Sequence, residues 1–259
     1  MSRSIRQEVT IDAPVDVVWR AITEADQLAR WFPVEAQVEP GLGGSVWLSW
    51  GGGTEGRAPI TAWEPDRRFG WTEERGPHKL AVDFLLEARG GTTIVRFVQS
   101  GFGDSSDWDD EFHLTEGGWS YFIQHLRWYL ERHRSEPRDL ISFREAVTRP
   151  RPDALGRLTT ALGLGDGEWI RQAAAGQPFR ARTSAGDELT GMLVAVSSAT
   201  SQLGLTINEL NGAILFLEME PAPTGARAGF WLSTYGLPTD QLTEVRSRFE
   251  RLYRDALGV

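Results

Sequence analysis

Chemistry in this chain would first be sought at its four histidines, one acidic run and one glycine-rich turn. His113, His125 and His133 lie on or beside one helical segment at spacings of twelve and eight, so no two form an i, i+3 or i+4 pair. His78 falls in a turn, and no metal site is expected. The run Asp104-Ser105-Ser106-Asp107-Trp108-Asp109-Asp110-Glu111 suggests calcium, yet it lacks the glycine and the terminal glutamate that a calcium loop requires. It reads instead as a solvated loop whose acids precede a helix N-terminus, where the helix dipole favours negative charge. Gly51-Gly52-Gly53 is followed by no Lys-Ser or Lys-Thr and opens no helix, so it is a turn and not a phosphate loop. No Ser-His-acid order, paired-carboxylate motif or nucleotide fingerprint occurs elsewhere, which argues against an enzyme and calls for no cofactor. The absence of cysteine removes disulfides, thiolate metal sites and thiol nucleophiles together.

Aromatic residues remain, and their distribution is uneven. Nine of the eleven tryptophans (19, 31, 47, 50, 63, 71, 108, 119 and 128) precede residue 130. A tryptophan is bulky and carries one N–H that needs a partner when buried, so such crowding suits either a large core or the wall of an apolar pocket. Strand alternation tells which residues share a face. With Arg96 outward, Thr93, Val95, Phe97 and Gln99 point inward; with Asp83 and Glu87 outward, so do Leu80, Val82, Phe84 and Leu86. Phe69 and Trp71 share one face of their strand, and Trp119, Phe122, Ile123 and Leu126 share one face of a long helix. Together they line a cavity or fill it. Gln99 is the polar exception on that inward face; a buried amide needs partners, either a neighbouring backbone group or a ligand's carbonyl or hydroxyl.

The elements that would hold these side chains follow from the periodicity. Ser4 to Ile11 alternates as a strand except at Gln7, and Pro14 opens a helix through Thr23 with Val15, Val18, Trp19 and Ile22 at helical spacing. A short helix from Glu24 to Trp31 ends before Pro33. Strands are predicted at Ala36 to Val38, Ser45 to Trp50, Gly56 to Trp63, Phe69 to Glu73, Lys79 to Ala88 and Thr92 to Gln99, separated by turns that include Gly76-Pro77 and Gly90-Gly91. A helix from Thr115 to Arg134 follows. The order then repeats: strand Ile141 to Val147, helix Pro152 to Leu164, five strands between Phe179 and Thr234, and helix Thr239 to Leu257. Ser100-Gly101-Phe102 matches Tyr235-Gly236-Leu237, 135 residues later, and so long a period means domain duplication. Two α+β domains are expected, 1–135 and 136–259. The second is degenerate, short of at least one strand between Leu164 and Phe179.

The ordered set Ile11-Asp12-Ala13-Pro14, Val18-Trp19, Ala21-Ile22-Thr23, Leu28, Trp31-Phe32, Gly43-Gly44, Phe69 to Trp71, Gly91-Thr92-Thr93, Ser100-Gly101-Phe102 and Gly117-Gly118-Trp119 resembles a known family. This is the group of the helix-grip (START-like, SRPBCC) superfamily named after the activator of the heat-shock chaperone ATPase. The resemblance covers about residues 5 to 134; the second half resembles the fold by pattern alone. It implies a curved seven-stranded antiparallel sheet gripping a C-terminal helix around a cavity. Its members bind lipids, polyketides or hormones, a minority catalyse cyclisation or lysis, and some act as carrier or resistance proteins in antibiotic clusters. It also implies that the acidic loop covers the cavity mouth with Trp108 as a lid. The expected ligand-binding set is therefore Trp31, Trp47, Phe69, Trp71, Phe84, Val95, Phe97, Gln99, Trp108, Trp119, Phe122, Ile123 and Leu126, around an apolar or aromatic small molecule. Two other functions stay open: a cyclase or hydrolase using Gln99, Glu73 or a cavity water, and a chaperone-associated interaction protein.

Charge and hydropathy limit the partners. Net charge is −9, from 27 basic and 36 acidic residues, which repels a phosphate backbone, so nucleic acid is not an expected partner. The opening residues carry no apolar run of signal-peptide length, and no stretch approaches the roughly 18 apolar residues of a membrane span, so a cytoplasmic location without membrane insertion is expected.

Overall fold

The computed structural model of the chain describes residues 2–76 and 78–259, so Pro77 of the expected Gly76-Pro77 turn lies outside the described residues. The chain divides into two compact units, Met1–Ser135 and Glu136–Val259.

The first unit runs β1 (Arg3–Ile11), α1 (Val15–Thr23), α2 (Ala25–Leu28), β2 (Glu35–Glu39), β3 (Ser45–Ser49), β4 (Glu55–Glu64), β5 (Arg68–Arg75), β6 (His78–Arg89), β7 (Thr92–Phe102) and α3 (Asp109–Arg132). Its seven strands form one antiparallel sheet in the order β1-β7-β6-β5-β4-β3-β2. A sheet with one apolar face must bury it, and α3 supplies the cover, packing on β1 and α1. Gln7, the break in the alternation of β1, donates from Nε2 to Ser120 Oγ of α3 at 3.1 Å and so ties sheet to helix. The outward face is charged as expected, with Arg96 bonded to Glu8 at 2.7 Å and Glu87 at 2.8 Å. The two Arg neighbours of Glu87, first of all the bond from Arg96, hold its carboxyl below the usual range.

Helix α3 begins six residues earlier than the Thr115 expected from hydrophobic spacing. Asp109, Asp110 and Glu111 form its first turn, where their charge faces the positive end of the helix dipole. The apolar stripe starts later than the helix, which is why periodicity alone placed the start too late. Only Ser106–Trp108, a 3-10 turn, remains between β7 and α3 as regular structure. Arg3 secures this connection, with Nε on the Gly103 carbonyl at 2.9 Å and its guanidinium 2.5 Å from Asp109.

The second unit repeats the order: β8 (Arg138–Val147), α4 (Arg151–Ala161), α5 (Gly167–Gln172), β9 (Pro178–Arg182), β10 (Glu188–Ser197), β11 (Gln202–Ile207), β12 (Ala213–Pro221), β13 (Ala226–Tyr235) and α6 (Thr239–Leu257). Its six strands lie in the order β8-β13-β12-β11-β10-β9, which is the first sheet without a counterpart of β2. Helix α5 holds the place of α2 in the order, and its N-cap Asp166 accepts from the backbone N–H of Glu168 and Trp169. Strand β8 starts three residues before the expected Ile141, because Arg138 to Leu140 pair with Ser233 to Tyr235 of β13. The interior of this unit is mainly aliphatic, with Leu155, Leu158, Leu193, Leu205, Leu217, Leu232 and Val245 all buried. Among the described residues, no helix is long and apolar enough to cross a membrane.

One glycine sets the register next to the helix connection. Arg3 pairs with Phe102 and Ser4 with Ser100, so Gly101 is bulged out of the ladder. It sits at φ +101°, and a Cβ there would lie 1.9 Å from the Lys79 carbonyl oxygen. Gly101→Ala is expected to cost roughly 2 kcal/mol or more of stability, since strain and clash act together. Denaturant unfolding followed by tryptophan emission, which reports mainly on the first unit, measures it; an unchanged midpoint would show that the bulge is not constrained.

Candidate functional site

The inward face of the first sheet can be read row by row from its strand register. One row crosses four strands as Phe97, Phe84, Phe69 and Trp63. The next row, toward the β7–α3 connection, crosses five strands as Ile5, Gln99, Val82, Trp71 and Ile60. The first row is aromatic from β7 to β4 and ends on β1 at Gln7, the partner of Phe97. The second is apolar except for Gln99.

Helix α3 closes over both rows. Trp119 lies on Phe97, with ring centroids 4.0 Å apart, and reaches Phe84 at 6.0 Å edge to face. Its indole N–H donates to Gln99 Oε1 at 2.6 Å. The partner of Gln99 is thus a side chain of the helix and neither of the neighbours weighed from sequence alone. Ile123 and Leu126 continue the buried stripe of α3. Phe122 is half-buried and meets Phe32 at 4.9 Å.

Trp31 and Val95 are fully buried. Trp31 has its own anchor, its indole N–H donating to the Ala21 carbonyl at 2.8 Å, and it stacks on Phe32 at 5.3 Å. The structure thus brings Trp31, Phe69, Trp71, Phe84, Val95, Phe97, Gln99, Trp119, Phe122, Ile123 and Leu126 onto the interior between sheet and helix. Two expected members stand apart. Trp47 lies on the other face of β3 from buried Val46 and Leu48, opposite the exposed Gln37 and Arg57, because alternation turns every second side chain of a strand to the other face. Trp108 meets His78 at 4.6 Å and Phe102 at 6.1 Å and makes no ring contact with Trp119 among the described residues.

Three rings missed in the sequence belong here. Phe32 bridges Trp31, Trp119 and Phe122, and also meets the half-exposed Trp50 at 5.5 Å, so a line of contacting rings leads from Phe97 toward the surface. Trp63 joins the aromatic row because a bulge between Ile60 and Ala62 reverses its face. Phe102, re-aimed by the Gly101 bulge, meets Phe112 of α3 at 5.3 Å. Sheet and helix therefore touch through rings at two levels, Phe97 with Trp119 and Phe102 with Phe112. Phe112 and Trp119 are two helical turns apart, about 10 Å. Between them the helix face carries Thr115, and the sheet carries Gln99.

Perturbed acids lie elsewhere. Glu73, on β5, is 39% exposed and pairs with Arg75 at 3.8 Å. Glu218 of β12 points to the face opposite Leu217 and Met219, accepts from the Trp231 indole at 2.9 Å, and is raised to about 7 by burial and by the charge of Glu220, against the pull of Arg144 and Trp231. Arg144 itself bonds Glu220 at 2.5 Å. A surface groove of about 770 Å³ in the second unit is charged, lined among others by Asp153, Arg157, Asp166, Glu168, Arg171 and Asp255. A smaller depression of about 200 Å³ in the first unit is lined by Arg20, Gln27 and Arg134 among others. Among the described residues, no three His, Asp or Glu side chains are grouped to hold a metal.

Residues 12–131 match the protein family described as Activator of Hsp90 ATPase homolog 1-like protein. Among solved structures, protein MLL2253 from Mesorhizobium loti is similar at 26% identity and a TM-score of 0.45, over 51% of this chain and 98% of that one. DynU16, from the dynemicin biosynthetic locus, is similar at 20% identity and a TM-score of 0.45, over 98% of this chain and 96% of its own. The di-domain ARO/CYC BexL from the BE-7585A biosynthetic pathway is similar at 15% identity and a TM-score of 0.45, over 99% and 96%. None of the curated proteins matches the chain.

The raised Glu218 carboxyl has a definite consequence for stability. An acid held at about 7 instead of the ordinary 4.5 binds more protons in the folded than in the unfolded state between those pH values. Stability is therefore lost as pH rises through that window. Glu218→Gln removes the penalty, so its denaturation midpoint is expected to exceed that of the wild type at pH 8, by roughly 1–3 kcal/mol, and to match it at pH 4. An equal effect at both pH values would mean that the side chain is ionised throughout.

Proposed function

We propose, starting from a first unit that belongs to the family of Activator of Hsp90 ATPase homolog 1-like proteins, that this unit binds a flat, apolar small molecule of aromatic or polyketide-like character between its sheet and α3. A carrier or sequestering role in secondary metabolism would follow from such binding. The observation that supports the reading is the interior itself. Between the ring contacts Phe97–Trp119 and Phe102–Phe112, the row Ile5, Gln99, Val82 and Trp71 lies at the level of a stretch of helix that carries no ring, with Thr115 and Glu116 at i+3 and i+4 from Phe112. Aromatic rings above and below favour a flat guest through offset stacking and edge contacts. The line from Trp119 through Phe32 to Trp50 and Phe122 offers a path to the surface along side chains that can turn without breaking backbone hydrogen bonds.

The second unit has neither the aromatic row nor a counterpart of β2, and binding is assigned to the first unit alone. Glu73 is exposed and ion-paired, so no specific observation favours acid–base chemistry at this interior.

Titration with fluorene, read by calorimetry and by quenching of tryptophan emission, tests the proposal. Saturable one-to-one binding is expected, and Thr115→Trp, which would fill the level between Phe112 and Trp119, is expected to weaken it at least tenfold while the thermal midpoint stays near that of the wild type. Absence of saturable binding up to the solubility limit of fluorene, or binding indifferent to Thr115→Trp in a folded variant, would refute it.

A further inference from the structure

Gln99 is 9% exposed, the one polar member of its row, and its bond to Trp119 accounts for only half of its amide. An indole N–H can donate but not accept, so the group facing Trp119 must be the Gln99 oxygen, and the orientation of the amide is thereby settled. Its nitrogen then points away from Trp119 with two N–H groups to donate. Among the described residues neither has a protein acceptor, and Nε2 is not among the atoms closed off from solvent without a partner, so it borders open space.

Gln7 provides a comparison from the same face. It also lies on the inward side of its strand, one row away, but its nitrogen donates to Ser120 Oγ, which in turn donates to the Glu116 carbonyl. That amide is spent on holding helix to sheet. Gln99 differs because its oxygen makes the link, leaving its donors unspent in a row whose neighbours across the sheet are Ile5 and Val82. A buried amide so arranged is matched by a group that accepts hydrogen bonds and offers none of its own demand for a partner acceptor: a carbonyl, quinone or carboxylate oxygen.

We infer that Gln99 is the polar anchor of the binding site and that the ligand class is an aromatic ketone or quinone whose carbonyl oxygen accepts from Gln99 Nε2, with Trp119 holding the amide in the donating orientation. This inference rests on the reading of the first unit as an aromatic-binding unit and specifies which member of that class it selects. Hydroxyl-free hydrocarbons of the same shape would fill the same space and leave the amide donors unmatched. A donor that loses water when a ligand covers it and gains no partner in exchange discriminates against a ligand that lacks the acceptor.

Fluorene and 9-fluorenone differ by one carbonyl oxygen on the same tricyclic frame, and the ratio of their affinities isolates the anchor from the apolar contacts. The wild-type protein is expected to bind 9-fluorenone about tenfold more tightly than fluorene, the size of effect that one net hydrogen bond supplies. Gln99→Met, close in length and without donors, is expected to abolish this ratio, whatever it does to the affinity for fluorene itself. The carbonyl stretch of bound 9-fluorenone gives a second measure that does not depend on the variant's stability: it should shift to lower wavenumber in the wild type and not in Gln99→Met. Equal affinities for the two probes in the wild type, a preference that survives Gln99→Met, or an unshifted carbonyl band would overturn the inference while leaving fluorene binding, and with it the broader reading, intact. If neither probe binds, both fall.

Discussion

The Trp119 indole N–H needs an acceptor in an apolar interior, and at 2.6 Å the Gln99 oxygen is the acceptor it has. Much else follows from that bond. It joins the middle of α3 to the fourth residue from the end of β7, so the helix cannot rotate or slide along the sheet without stranding a buried donor at a cost of roughly 1–3 kcal/mol. It holds the Trp119 ring flat enough against Phe97 to bring their centroids to 4.0 Å. It also decides which end of the Gln99 amide faces the remaining space. Apolar burial drives helix and sheet together without specifying register; a single polar pair inside that contact does specify it.

The two units show what is lost when such a pair is absent. They share strand order, apart from the first unit's extra edge strand, and each ends in a long helix. In the second, leucine and other aliphatic side chains fill the space under the sheet, and the aromatic contacts gather at Phe143, Phe230, Phe249 and Tyr253. The Tyr253 hydroxyl is spent on the backbone, donating to the Ala228 carbonyl at 2.7 Å and accepting from the Glu145 N–H. Burial, and then the charge of Glu145, raise it to about 12 against the pull of the Glu145 N–H and Arg254, so it stays a neutral phenol. Branched aliphatic side chains interlock closely, whereas a set of large planar rings packs in fewer ways. One topology therefore supports a closed core in one unit and a candidate binding interior in the other.

Much of this was legible in the sequence, because period-two alternation and the 3.6-residue stripe of α3 are direct consequences of backbone geometry. They identified Thr93, Val95, Phe97 and Gln99 as one face, and the stripe from Trp119 to Leu126 as its cover. What escaped were the places where the backbone departs from its period. The bulges at Gly101 and between Ile60 and Ala62 turned Phe102 and Trp63 inward against the simple count. One tryptophan, Trp47 on β3, looked like a wall residue by type, yet its register assigns it to the outer face. The early start of α3 escaped for a different reason: its first turn is held by charge and by Arg3, and carries no hydrophobic signal to count. Gly101 beside a strand end was the one available hint, since an isolated glycine in a strand often marks a bulge.

Polar residues on a buried face are easily read as defects of packing or as signs of function, and type alone does not separate the two. Gln7 and Gln99 have the same side chain, lie on neighbouring strands of one face, and each bonds to α3. The difference lies in which atom is used. Where the helix offers a hydroxyl, as Ser120 does, the amide can donate and be satisfied by the protein; where it offers an indole N–H, the amide must accept, and its donors are left over. The chemistry available inside the first unit is thus set as much by the choice of tryptophan at 119 as by the glutamine at 99. Replacing an aromatic donor on the helix would alter what the sheet presents, even with every residue of the sheet unchanged.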